Sequence, residues 1–321
     1  MTSRRRVLLA SALCAVAPAV LRAQPRTPKI GFLLAVPPTK SVLAPVVIQR
    51  LAELGYRDGK GATLLHRSAD GDPQRFSQLA RELVDAKCDL IFAIGPEHAA
   101  RALQAESTLI PMVFYANDYD PLRANVVRSL ARTGTNITGV YVPEPELVAK
   151  RLQLIREALP AARRVLVFSD PFSTDQLASA RNSAQAAGLE LTVVEFSKPP
   201  YDLIGALAGV ANIDALMVMT SPALFAQIAT LRAPLAKRRL PSIGVNTYVD
   251  RGMMFGFGAV SDQLLRRAAE MGVAILKGAN PAAIPVEQPR EFEFAINASV
   301  ARESGIKIPE AFLARATRIV Q

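Results

Sequence analysis

Short apolar runs alternate with longer amphipathic segments along most of the chain. The apolar runs are rich in Val, Ile and Leu, as expected for buried β-strands. The amphipathic segments carry apolar residues at helical spacing, as at Phe76, Leu79 and Leu83. The pattern predicts strands at Lys29–Ala35, Ala62–His66, Asp89–Ile94, Ile110–Tyr115, Arg164–Ser169, Leu189–Phe196, Ala215–Thr220 and Ser242–Val245, and helices at Val42–Leu54, Pro73–Ala86, Glu97–Glu106, Pro145–Leu159, Thr174–Ala187, Leu203–Val210 and Leu224–Arg238, the last interrupted by Pro234.

The alternation of strands and helices indicates parallel sheets covered by helices on both faces. It occurs in two runs, separated near Thr138–Pro145, and 321 residues are enough for two domains of ordinary size. We therefore predict an α/β protein with two doubly wound parallel-sheet lobes around a central cleft. The expected limits are 27–140 plus 252–284 for lobe 1, and 141–251 plus 285–321 for lobe 2.

Polar and aromatic residues follow the predicted strands, at the edge where ligands bind in such sheets. Aromatic rings there can wall a small molecule, while polar side chains and helix N-termini can hold its polar ends. Asn117, Ser173 and Asn246 could instead form turns or cap helices. Phe172 and Tyr248 could instead pack between the lobes. The predicted ligand-binding residues are Thr39, Glu97, Tyr115, Asn117, Asp120, Tyr141, Phe172, Ser173, Ser221, Asn246 and Tyr248.

Catalytic and cofactor motifs are absent from the sequence, so we expect a binding protein that is not an enzyme and that needs no cofactor or metal. His66 and His98 are the only imidazoles, and neither has a partner at the spacing of a metal site. Gly256-Phe257-Gly258 begins like a dinucleotide fingerprint, but Ser261 occupies the third glycine position. A tight turn beside the cleft is therefore expected at Gly256.

The first residues have the features of an export signal. Arg4-Arg5-Arg6 precedes the uncharged apolar run Val7–Val20, and Ala23 offers a small residue for cleavage. We therefore predict that Met1–Ala23 is a signal peptide and that the protein is periplasmic. The arginines also resemble a twin-arginine export signal. The alternative is that the segment is retained as a membrane anchor. The segment holds four Arg and no acid, so its removal lowers the formal net charge from +10 to +6. The remaining basic residues lie in short scattered pairs, which argues against a nucleic-acid partner.

Several segments resemble the family of periplasmic solute-binding proteins of ABC transporters that includes tryptophan- and tyrosine-binding members. The resemblance runs through nearly all of the chain after the predicted signal peptide, and the combination of segments is specific. The matching segments are Leu51–Tyr56, Leu79–Val84, Asp120–Pro121, Ser129–Gly139, Lys150–Leu152, Ile275–Pro281, Val286–Pro289, Phe292–Phe294 and Gly305–Pro309.

The chain departs from the family pattern at two loops of the predicted cleft. Pro96-Glu97 follow Gly95, where the family commonly has a small hydroxyl residue and then Pro. Ser221-Pro222 stand where members often carry Asp-Pro. These departures concern the ligand and leave the expected fold unchanged.

The resemblance implies a type I periplasmic binding fold, the Venus-flytrap arrangement of two hinged lobes. It also implies a monomeric receptor that binds a small solute, such as an amino acid or an aromatic acid, and delivers it to an inner-membrane ABC permease. Two alternatives remain open. The protein could be the ligand-binding subunit of a membrane signalling system, or an exported enzyme, although an enzyme would need a nucleophile–base pair or a metal cluster.

Overall fold

A computed structural model describes residues 26–117 and 119–321 of the chain. The predicted signal peptide Met1–Ala23 lies outside these residues. Within the described part of the chain, no helix combines the length and the apolar character that crossing a membrane requires.

The first sheet contains six parallel strands and belongs to lobe 1. Its order is β2-β3-β1-β4-β5-β6, where the strands are β1 (Lys29–Leu34), β2 (Arg57–Asp58), β3 (Gly61–Ser68), β4 (Leu90–Gly95), β5 (Met112–Ala116) and β6 (Ile137–Tyr141). Helices α1 (Ala44–Glu53) and α9 (Ser261–Leu276) pack on one face, and α2 (Phe76–Asp85) and α3 (Glu97–Glu106) on the other. Because both faces are covered, β4 is buried along its whole length.

The second sheet contains seven strands and belongs to lobe 2. Its order is β13-β12-β11-β10-β9-β7-β8, where the strands are β7 (Arg164–Ser169), β8 (Glu190–Glu195), β9 (Ala215–Val218), β10 (Ser242–Gly244), β11 (Phe255–Ala259), β12 (Phe292–Asn297) and β13 (Arg318–Val320). The helices of this lobe are α4 (Glu144–Ala158), α5 (Thr174–Ala184), α6 (Leu203–Ala208), α7 (Pro222–Gln227), α8 (Arg232–Arg238), α10 (Ala298–Glu303) and α11 (Glu310–Leu313).

Two lobes of mainly parallel sheet confirm the predicted fold class. One pairing differs, because β11 and β12 run antiparallel. Strand β11 ends at the cleft edge, and the chain then enters lobe 1 as α9. It re-enters the second sheet from the same edge, so β12 has to run in the opposite direction.

The lobe limits differ from the expected ones at two of the three crossings. Phe255–Ala259 pairs with strands of the second sheet, so the chain enters lobe 1 only at Ser261, not at residue 252. On the way back, Glu287 still bonds to β6: its carbonyl accepts from the Tyr141 N–H at 2.9 Å, and its own N–H donates to Gly139 O at 3.1 Å. The third crossing therefore follows Glu287 and does not lie at residue 285.

Two local predictions concern glycine and proline. The predicted tight turn at Gly256 is wrong, since Gly256 lies within β11. A Cβ there would lie 2.8 Å from Asn246 Cα, so this glycine permits the 3-10 helix Asn246–Arg251 to cross the strand closely. The helix predicted over Leu224–Arg238 is interrupted, but not at Pro234: a 3-10 turn at Ile228–Leu231 separates α7 from α8. Pro234 then lies in the first turn of α8, where its missing N–H costs no helical hydrogen bond.

Candidate ligand-binding cleft

The carboxyl ends of the two sheets face one another and enclose a cavity of about 350 Å³. This central cavity has the size and mixed wall of a small-molecule site. Lobe 1 contributes residues at or just after the ends of β1, β4 and β5, including Val36, Gly95 and Asn117. Lobe 2 contributes the residues that follow β9 and β10, among them Thr220 and Thr247.

Most of the wall of the central cavity is apolar. Leu34, Ile94 and Leu265 line it from lobe 1, and Phe225 and Val245 line it from lobe 2. An apolar solute body would be desolvated against these side chains, at a gain of roughly 25 cal/mol per Å² of buried apolar area.

Five of the predicted ligand-binding residues line the central cavity, namely Tyr115, Asn117, Ser221, Asn246 and Tyr248. Some of their polar atoms are already committed within the protein. The Tyr248 hydroxyl donates to Met219 O and accepts from the Ser221 N–H, both at 3.0 Å. The Tyr115 hydroxyl donates to Ser261 Oγ at 2.7 Å. These two tyrosines therefore present rings to the cavity while their hydroxyl groups bind other parts of the protein.

Three other predicted residues line two neighbouring cavities. Thr39 lines a lateral cavity of about 520 Å³, on the side of the cleft formed by α7 and Arg251. Glu97 and Phe172 line a third cavity of about 490 Å³. That cavity contains a contact between the lobes, in which the edge of Phe172 meets the His98 ring at a centroid distance of 5.9 Å.

The remaining three predicted residues line none of these cavities. Ser173 is fully buried, and its hydroxyl accepts from the Asp170 N–H at 3.0 Å, which is the local turn considered as its alternative role. Asp120 accepts from the Leu122 N–H at 2.8 Å and so closes a turn as well. Tyr141 is 6% exposed, at the end of β6, and burial raises the pKa of its phenol.

A buried ion pair supports the floor of the cleft from below. Arg151 and Glu144, both on α4, approach to 2.5 Å and are almost completely inaccessible to solvent. Arg151 also donates through Nε to Phe257 O at 2.8 Å, while Thr220 donates its hydroxyl to Glu144. Such a pair compensates for the cost of burying charge through additional hydrogen bonds. No local pattern marks Arg151 as buried, since in the sequence it belongs only to the segment Lys150–Leu152 that carries the family resemblance.

A second buried cluster is centred on Asp170, which is 5% exposed. Its carboxylate accepts from Ser221 Oγ, from the Tyr201 hydroxyl at 3.1 Å and from the Phe172 N–H at 3.0 Å. Burial raises the pKa of Asp170, and these hydrogen bonds offset only part of the effect. Ser221 in turn caps α7 through the N–H groups of Ala223 and Leu224.

Charged residues that the sequence pattern does not predict also line the central cavity. Lys40 and Asp262 line the central cavity, and so do Glu293 and Arg318. Arg318 is held by Asp250 at 2.6 Å and by Glu293 at 3.0 Å. Charged side chains are common on solvated surfaces, so their types and spacing gave no signal that they would meet at a cleft.

Comparisons with known proteins agree with this geometry. A family model described as ABC transporter substrate binding protein matches residues 42–320. A tyrosine-binding protein from Clostridioides difficile is 27% identical over 258 residues, which are 78% of this chain and 72% of that protein.

Two solved structures are similar over 92% of this chain and all of the other chain. One is a conserved domain protein from Vibrio cholerae O1 biovar El Tor, with 28% identity and a TM-score of 0.81. The other is an ABC domain from Streptococcus pneumonia in complex with L-Trp, with 26% identity and a TM-score of 0.78.

Proposed function

Because the chain belongs to the family of ABC transporter substrate binding proteins, we propose that it is a periplasmic receptor that captures a small solute in the central cavity and delivers it to an inner-membrane permease. The fold is that of the type I periplasmic binding proteins, and the family binds substrates and is not defined by catalysis. The proposal includes a monomeric protein exported by means of Met1–Ala23.

One observation carries this proposal: both lobes line one largely apolar cavity of about 350 Å³. A solute held there touches both lobes at once, so its binding energy favours the closed arrangement over an open one. The chain passes between the lobes three times, after β6, after β11 and after Glu287. These connections are the proposed hinge.

A thermal-shift screen tests the proposal on purified protein that has been unfolded and refolded to remove carried-over solute. The panel contains amino acids, aromatic acids, purines and small carboxylates. A solute at 100 times its dissociation constant adds about 2.7 kcal/mol to the free energy of unfolding, which is a shift of a few degrees for a chain of this size. A saturable shift from one chemical class is expected.

A matched pair of variants locates the binding site. Asn117→Ala removes a polar side chain from the central cavity and is expected to reduce the shift. Asn182→Ala changes an exposed residue of α5 and is expected to leave it unchanged. A folded protein that responds to no solute class, or whose response is the same in both variants, contradicts solute capture in this cavity.

A further inference from the structure

The central and lateral cavities adjoin one another. Val36, Lys40 and Phe225 line both of them, so these three side chains form the partition. The lateral cavity has a volume of about 520 Å³ and lies, like the central one, between the lobes. Its walls include Gly71 from lobe 1 and Pro199 from lobe 2. A solute long enough to pass the partition would reach from the central cavity into the lateral cavity.

Two cations face the lateral cavity, one from each lobe. They are Lys40, after β1, and Arg251, at the end of the 3-10 helix Asn246–Arg251. Among the residues that the structure describes, neither has a carboxylate within ion-pair distance, whereas Arg318 in the central cavity is paired with two acids. Asp70 is the one acid among the described wall residues; Arg75 binds it through Nη1, and Lys40 lies close enough to attract it electrostatically. The lateral cavity thus carries an excess of positive charge.

The position of Arg251 leaves its hydrogen-bond donors available. Its guanidinium carbon lies over the Phe225 ring, 4.7 Å from the ring centroid, so the cation packs against a residue of the partition. The N–H groups of a guanidinium lie in one plane and match the geometry of an anionic oxygen group. Lys40 adds an ammonium group with three donors.

The charge of the lateral cavity favours an anionic ligand. Lys40 and Arg251 are both exposed to solvent, so an anion that binds between them gains attraction to two cations without the cost of burying either. The central cavity offers mainly apolar surface to the rest of the ligand.

We propose that the solute is an organic anion whose apolar body fills the central cavity and whose carboxylate or phosphate group lies in the lateral cavity between Lys40 and Arg251. The proposal rests on the proposed function and specifies its substrate class. On this proposal the protein does not bind zwitterionic amino acids. The α-ammonium group of an amino acid lies one carbon from its carboxylate, so Lys40 and Arg251 would repel it.

Matched solutes test the charge requirement by isothermal titration calorimetry of the refolded protein. The probes are 3-phenylpropanoate and octanoate, their uncharged amides, phenyl phosphate and phenylalanine. At least one of the three anions is expected to bind, with an affinity about 10- to 100-fold higher than that of its amide or of phenylalanine, which is the range for a charge-assisted hydrogen bond. The carboxylates and phenyl phosphate identify which anionic group the site prefers. Added NaCl is expected to weaken only the binding of the anion.

Three variants locate the anion. Lys40→Gln and Arg251→Gln are each expected to weaken binding of the anion by about tenfold or more and to leave amide binding unchanged. Lys60→Gln removes an exposed cation outside both cavities and is the control. Arg251→Lys, which retains the charge, is expected to recover part of the affinity.

Each unfavourable result has a distinct meaning. Amides or phenylalanine that bind as tightly as the anions overturn the anionic substrate class, yet they leave solute capture intact. Anion binding that is insensitive to Lys40→Gln and Arg251→Gln overturns the proposed subsite. If none of these anions binds while another solute class of the thermal-shift panel does, the inference fails alone; if no class binds, it fails together with the proposed function.

Discussion

At the scale of single residues, the charged side chains beneath the cleft converge on two consecutive wall residues. The Glu144–Arg151 pair binds Thr220 from below, and Asp170 binds Ser221. The Gln176 amide adds two hydrogen bonds of 2.8 Å to the Thr220 backbone. The segment after β9 is therefore held in place before any ligand arrives, which is the preorganisation that keeps the entropy cost of binding low.

The raised pKa of Asp170 leads to a prediction about pH. Because the native protein holds this proton above the unfolded value of 3.8, the contribution of Asp170 to stability is fully present at lower pH and is lost as the pH rises through the native pKa. Relative to Asp170→Asn, the wild type is expected to lose about 1.4 kcal/mol of unfolding free energy per pH unit over that range.

Urea denaturation of both proteins between pH 4 and pH 7 measures this difference. Asp85→Asn, which changes an exposed carboxylate at the end of α2, is the control. A difference between wild type and Asp170→Asn that stays constant across the range would show that burial does not raise the pKa of Asp170.

At the scale of elements, loops from the two lobes touch at the side of the cleft. Gly71, which follows β3, has a φ of +85°, and a Cβ added there would lie 2.5 Å from Pro199 Cγ in the loop after β8. On the other side of the cleft, His98 at the start of α3 contacts Phe172. The contact between Gly71 and Pro199 is possible only because residue 71 has no side chain. A single methyl group at residue 71 would therefore disturb this contact between the lobes.

Gly71→Ala is therefore expected to weaken solute binding. The positive φ strains alanine in any arrangement of the lobes, whereas the clash with Pro199 arises only when they are closed. A clash of ~1–3 kcal/mol corresponds to roughly 5- to 150-fold weaker affinity. Calorimetry with the solute that gives the largest thermal shift measures the effect.

Gly59→Ala is the matched control, because Gly59 has a φ of +69° but no atom within 4 Å of its added Cβ. It is expected to lower stability and to leave affinity unchanged. Pro199→Ala removes the clashing Cγ and is expected to restore affinity in the Gly71→Ala protein. Equal affinities of Gly71→Ala and Gly59→Ala would mean that this contact does not accompany binding.

At the scale of the whole molecule, apolar packing is continuous from the α2 and α3 face of lobe 1 into lobe 2. The lobes therefore contact one another in this structure, as the proposed closed form requires. Without a solute, this arrangement leaves Asn246 Oδ1 of the central wall buried with no hydrogen-bond partner among the described residues, and it holds two like charges at the lateral cavity. These costs favour separation of the lobes about the three connections.

Small-angle X-ray scattering is expected to detect that separation. The radius of gyration of the refolded, solute-free protein is expected to exceed the value calculated from this structure, and a saturating solute is expected to bring the scattering curve to the calculated one. The forward scattering intensity gives the molecular mass, so the same experiment tests whether the protein is a monomer. Identical curves with and without a bound solute would exclude closure as the response to binding.

The sequence alone was sufficient for the local elements and the class of fold. Apolar runs and helical spacing are local properties, so the predicted bounds of α3 and β7 match the observed ones, Glu97–Glu106 and Arg164–Ser169. The pattern does not predict β11 and β12, because glycine or charged residues interrupt the apolar runs of these strands. Their pairing depends on where the chain re-enters a sheet, which no local pattern records.

Only the tertiary structure decided which polar residues share a cavity. Gly95 ends β4 and Glu97 begins α3, yet Gly95 lines the central cavity and Glu97 the third one, because the chain turns between them. Lys40 and Arg251 are more than two hundred positions apart and line one cavity only because the two lobes lie against one another. Sequence spacing determines which way a side chain points along its own element, but contacts between lobes depend on how whole elements pack.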